Sequence, residues 1–141
     1  MANNQLTPVH WMNHWAENTP EKIYLHQPKQ RQIETHNWQQ VKQQVENLDA
    51  SLHHLGFSQG DKIAILAKNC AEWIIADLAI MRAGMISVPI YPTANADTVK
   101  YVLEHSESKA VFIGKLDKPE EVEAGIGGAI VRMSMSYDSI D

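Results

Sequence analysis

The run GDKIAILAKNCAEWIIADLAIMRAGMISVPI, Gly60 to Ile90, divides into three parts. A Gly-Asp turn opens onto Ile63–Ala67, which has the length and apolar character of a buried strand. Ala71–Ala83 is long enough for a helix and stops at Gly84, and Met85–Ile90 reads as a second strand. Two short apolar strands joined by a helix-length run form a βαβ unit, which makes the strands parallel and lays a helix against them. Trp73–Ile90 is the only candidate membrane span, but Asp77, Arg82, Gly84 and Pro89 interrupt it, so it reads as core.

Working outward, the alternation continues. NADTVKYVLEHS, Asn95–Ser106, is a helix capped by Asn95 or Thr93, and Lys109–Gly114 is a third strand. A short helix around Glu120–Ala124 and a last strand, IVRMSM, follow. Upstream, Trp38, Val41, Val45, Leu48, Leu52 and Leu55 recur at steps of three and four, the period of one amphipathic helix. Asn37 or Thr35 can cap its start and Gly56 can end it. Before it, IYLHQPKQRQIETHNW reads as a small β-hairpin, with strands around Ile23–His26 and Gln32–Thr35 turned at Pro28–Gln30. Leu6, Trp11, Met12 and Trp15 predict an N-terminal helix ending before Pro20. The fold class is therefore α/β: a parallel sheet flanked by helices, with a small hairpin near the N-terminus.

Two features of this pattern carry expectations. The three charges of Ala71–Ala83, Glu72, Asp77 and Arg82, do not form a continuous polar face, so the helix calls for cover on nearly all sides. In a chain this short, exposed apolar surface is expected there, wet or buried in a homodimer. In SVPIYPT, Pro89 lacks the amide that a central ladder position would donate, and Pro92 stops the strand and turns it outward. That end is where ligands gather in open parallel sheets.

The 141 residues suffice for one compact domain, and the formal charge of −5 with scattered basic residues argues against a nucleic-acid partner. The single cysteine, Cys70, cannot form an internal disulfide and points to a reducing cytoplasm; the N-terminus carries no signal-peptide pattern.

His10 and His14 share a helix face, but no third metal ligand is fixed, Glu17 being only a candidate. His53 and His54 point about 100° apart and cannot chelate together; they read as solvated groups at the negative end of a helix dipole. AGIGGA, Ala124–Ala129, follows a helix and precedes a strand, the reverse of a phosphate-cradling order, and Ile130 stands where the last small residue belongs. Cys70 opens a helix with no histidine adjacent in sequence to act as its base, and reads as a small core residue. No catalytic, cofactor-binding or metal-ligating residue is assigned.

The same central run resembles the N-terminal region of the AMP-forming adenylating enzymes. Met81-Arg82-Ala83-Gly84 followed by Val88-Pro89-Ile90 is similar to an early family motif, and Ile90-Tyr91-Pro92-Thr93 is most like the long-chain fatty acyl-CoA synthetases. Asn37-Trp38-Gln39-Gln40-Val41 matches another family signature loosely, with Gln where an acid is usual. The resemblance implies that residues 1–141 are the N-terminal part of a fatty acid–CoA ligase. With ATP, Mg²⁺ and CoA, the intact ligase would convert a fatty acid to acyl-CoA through an acyl-adenylate. The family's Ser/Thr/Gly-rich phosphate loop, Tyr-Gly-x-Thr-Glu segment, ribose-binding Asp and C-terminal Lys have no match here, so the chain is expected to be inactive by itself and to bind no cofactor. Cytoplasmic localisation, with peripheral membrane contact for the intact enzyme, is expected on the same ground. The rival reading is a free-standing α/β binding or dimerisation module that reuses this half-fold.

Overall fold

A computed structural model describes residues 6–135. Helix α1 spans Pro8–Asn18, the hairpin strands β1 and β2 span Ile23–Lys29 and Gln32–Asn37, and α2 spans Trp38–His54. The alternating part follows as β3 (Lys62–Leu66), α3 (Ala71–Arg82), β4 (Ile86–Ile90), α4 (Ala96–Ser106), β5 (Ala110–Ile113), α5 (Pro119–Glu123) and β6 (Val131–Ser134). The four later strands form a parallel sheet in the order β4-β3-β5-β6, and β1 and β2 form a separate antiparallel pair.

Local chemistry sets the helix ends. The Thr7 hydroxyl accepts from the His10 amide, with Pro8 in the first turn, where its missing N–H costs nothing. Asn37, not Thr35, caps α2: its side chain accepts from the Gln40 amide while the Gln40 side chain accepts from the Asn37 amide, both at 2.8 Å. The Gln that departs from the family signature therefore closes a capping box. Asn95, not Thr93, caps α4. Gly84 ends α3 with φ of +77°, a conformation that costs glycine little.

The hairpin turns two residues later than the sequence suggests. Strand β1 runs through Pro28 to Lys29, and the turn is made by Gln30 and Arg31, both left-handed with φ of 48° and 62°. Pro28 is tolerated because the two-stranded ribbon leaves one edge of β1 free.

Period-two alternation divides the core between the two faces of the sheet. Ile63 and Ile65 of β3 and Phe112 of β5 pack with Leu52, Ala76 and Ile80 under α2 and α3. Ala64, Leu66 and Val111 pack with Val99, Leu103 and Val122 under α4 and α5. A further layer lies outside α3, where Ile75, Leu78 and Ala79 meet Val41 and Val45 of α2 and Met12 of α1.

That outer layer overturns the expectation for the apolar helix. No apolar residue of Ala71–Ala83 is exposed: Trp73, Ile74 and Met81 are half-buried and the others buried. Cover comes from the chain's own N-terminal third, through α1, α2 and the hairpin. The buried Gln27 side chain accepts the Ala71 amide at 2.7 Å, and Arg82 pairs with the buried Asp49 of α2. Large exposed apolar side chains lie elsewhere, among them Leu6, Ile33, Ile86, Tyr91 and Tyr101.

Pro89 also sits differently from the expectation. Strand β4 is an edge of the described sheet. Its Ile86 amide donates to the Asp61 carbonyl of the β3 side, and the alternation of a parallel ladder gives the same inward role to Val88 and Ile90. Pro89 is out of phase, so its missing amide falls on the free edge, where the ladder loses nothing.

Candidate functional site

The carboxyl end of the sheet is where the strand connections diverge. Strand β3 leaves toward α3 on one face, whereas β5 leaves toward α5 on the other, so a crevice is expected between them. The chain bridges this crevice itself. The Lys68 amide donates to the Lys115 carbonyl at 3.0 Å, the Gly114 amide donates to the Leu66 carbonyl at 3.1 Å, and the Lys68 ammonium pairs with Asp117. Gly114 is required by space: a Cβ there would stand 2.7 Å from that of Ala67 and 2.8 Å from the Met135 sulfur.

Open space lies one strand over, at the ends of β3 and β4. A cavity of about 250 Å³ is lined by Asn69, Trp73, Ile90, Tyr91 and the two prolines of SVPIYPT. Strand β4 stops at Ile90 and Pro92 turns the chain, leaving Tyr91 84% exposed at the rim. These walls are apolar and aromatic with one amide, suited to holding a flat or apolar group. Neighbouring Cys70 is half-buried, and desolvation pushes its thiol pKa up, so it is a weak nucleophile.

The other candidates fall as follows. His10 and His14 lie on α1 in edge-on contact with Trp11 and Trp15, and the described residues contain no group of three metal-ligating side chains. His53, expected to be solvated, is half-exposed and holds the Asp49 carboxylate at 2.8 Å through Nδ1. The glycines of AGIGGA join α5 to β6 beside a cavity of about 540 Å³, whose rim carries Glu104 and Glu107. Gly127 and Gly128 have open space, and Lys100 lines the same cavity beside the two carboxylates.

Sequence reasoning missed two polar residues with structural consequences. Gln27 ties the hairpin to the start of α3, and Glu72 keeps one carboxylate oxygen, Oε2, buried without a hydrogen-bond partner. Neither stands in a local pattern that would mark it.

Comparison with known proteins agrees with this architecture. The family model described as AMP-binding enzyme matches residues 12–138. The chain belongs to that family. Fatty acyl-CoA synthetase A of Dictyostelium discoideum is 30% identical over 108 residues, covering 74% of this chain and 16% of that protein. Long chain acyl-CoA synthetase 5 of Arabidopsis thaliana is 36% identical over 76 residues, covering 54% of this chain and 11% of that protein. Among solved structures, a fatty acyl-adenylate ligase from L. pneumophila, in complex with acyl adenylate and pyrophosphate, superposes with a TM-score of 0.78. It is 22% identical and covers 93% of this chain and 23% of its own. The N-terminal subdomain of Klebsiella oxytoca NpsA, in complex with 3-hydroxyanthranilyl-AMSN, superposes with a TM-score of 0.74 at 20% identity, covering 90% and 30%. These likenesses show the fold. The chain spans only 16% and 11% of the length of these two curated relatives.

Proposed function

We propose that residues 1–141 form the N-terminal subdomain of a long-chain fatty acid–CoA ligase and act as its scaffold. The observation that carries this reading is the disproportion of the match: 74% of this chain lies within 16% of a fatty acyl-CoA synthetase. The intact ligase would join a fatty acid to ATP as an acyl-adenylate, release pyrophosphate, and pass the acyl group to CoA, with Mg²⁺ offsetting phosphate charge. This chain would brace the elements that carry out those steps, and its 250 Å³ cavity at the ends of β3 and β4 would border the acyl or nucleotide site. It contributes no catalytic residue. Localisation would be cytoplasmic; no described helix is long and apolar enough to cross a membrane.

The test has two arms. Reading the coding sequence past Asp141 should reveal a Ser/Thr/Gly-rich phosphate loop; a stop codon there sinks the ligase reading. The chain by itself, given ATP, Mg²⁺ and palmitate, should release no pyrophosphate; robust acyl-adenylate formation would place an active site within these residues.

One observation favours a second reading, a free-standing binding module. The apolar α3 is covered by the chain's own elements, which is what an independently folding unit needs. The same coding-sequence test separates the two.

A further inference from the structure

The cavity at the ends of β3 and β4 takes two of its walls, Asn69 and Trp73, from one short stretch: the end of the β3–α3 connection and the first turn of α3. That stretch is weakly fixed by its own sequence. The first amides of any helix lack a partner within it, and a Ser, Thr, Asn or Asp side chain usually supplies one. Cys70 stands at that position in α3 and makes no side-chain cap bond. The bond from the Ile74 amide to the Cys70 carbonyl is 3.4 Å, long against a usual N–O distance of about 2.9–3.0 Å.

The missing cap comes from another element. Gln27 of β1, 8% exposed, accepts the Ala71 amide through Oε1 at 2.7 Å, while its Nε2 donates to the Pro28 carbonyl at 3.0 Å. Both ends of this side-chain amide are engaged, which fixes its orientation. The start of the connection is held separately, by the Lys68 amide on the Lys115 carbonyl at 3.0 Å. Asn69 lies between those two ties, and Trp73 follows shortly after the second. Gln27 is not part of the cavity lining, so its influence there passes through Ala71.

We propose that Gln27 is a positioning residue for this cavity: by capping α3 from the hairpin it sets where Asn69 and Trp73 stand, and so couples the N-terminal hairpin to the site. The proposal rests on the reading of this cavity as the border of the ligase's substrate site. A buried N–H left without an acceptor is costly, and the backbone moves to find water or another partner. Here that movement opens the turn that carries Trp73. Removing the Gln27 acceptor therefore reshapes the cavity as well as weakening the fold.

The experiment follows amide exchange and the resonances of the Asn69 side-chain amide and the Trp73 indole in the parent chain and its variants. Gln27→Met keeps the length and removes the acceptor, Gln27→Glu keeps the acceptor, and Asp49→Ala cuts a tie at the far end of α3, where Asp49 meets Arg82. Gln27→Met should speed exchange at Ala71 and Ile74 at least about tenfold relative to the rest of α3 and move both cavity resonances, while Gln27→Glu stays within about threefold of the parent at those amides. Asp49→Ala should lower overall stability and leave the Asn69 and Trp73 signals in place. Uniform loss of protection along α3 with those signals unmoved would reduce Gln27 to a fold-stabilising contact and overturn the proposal, as would failure of Gln27→Glu to restore the two amides. Should Gln27→Met not fold, Gln27→Asn, one methylene too short to reach Ala71, carries the same comparison. In the longer ligase, Gln27→Met should raise KM for palmitate, ATP or CoA by about fivefold with kcat within about twofold. Unchanged KM for all three overturns the link to the site. The exchange and resonance readouts need no activity, so the positioning role and the ligase reading fail separately.

Discussion

The two faces of the parallel sheet are covered in different ways. On one, α3 is apolar around most of its circumference and lies between the sheet and a second layer made by α1 and α2. On the other, α4 is amphipathic: Val99 and Leu103 are buried against the sheet while Tyr101, 64% exposed, faces solvent. A helix with one apolar face needs one neighbour, whereas a helix apolar all round needs two. The hairpin and the first two helices are thus the outer wall of the α3 side.

The comparison is broken most severely inside that wall. Ile80→Ala removes a fully buried side chain between α3 and the sheet, and should cost about 2–5 kcal/mol in denaturant unfolding. Asp49→Ala should cost about 1.5–3 kcal/mol, because it removes the acceptor that Arg82 and His53 share and that fastens α2 to α3. The face covered by α4 should respond less. Asn95→Ala, which deletes that helix's cap, should cost about 1 kcal/mol, and Tyr101→Ala should stay within about 0.5 kcal/mol.

Between the faces, at the amino end of the sheet, Asp61 offers a contrast readable by pH. The Ser58 amide, at 2.8 Å, and Lys109, at 2.9 Å, hold its pKa below the usual 3.8. A lowered folded-state pKa stabilises the fold above the unfolded value, and that contribution is lost as pH falls through the lowered one. Asp61→Asn should therefore be less stable than the parent above about pH 4, with the gap closing in stronger acid. A gap that is constant with pH would show that the carboxylate's charge is not what matters there.

What could be read from sequence follows the range of the interactions. The α2 helix was legible from its own spacing, and the βαβ order from short apolar runs between Gly and Asp punctuation, because those signals are local. The cover over α3 was not. Gln27 and Ala71 are 44 residues apart, and Asp49 and Arg82 are 33 apart, so no local pattern announces either contact. The hairpin turn was misplaced because Gln30 and Arg31 adopt left-handed conformations without the Asn-Gly signature that usually marks them. Glu72 read as a scattered charge, since an unmet hydrogen-bond requirement exists only once α2, α3 and β6 surround it. The prolines of SVPIYPT did mark the end of a strand and the rim of a cavity, although they frame it from the sheet's edge and not from its centre.

Pro89 on the outer side of β4 also gives the sheet a direction of growth. A strand arriving at that edge would find one of its carbonyls facing a pyrrolidine ring, whereas β6, Val131–Ser134, contains no proline. Extension of this sheet, by further polypeptide or by another molecule, is hindered at one side and unhindered by proline at the other.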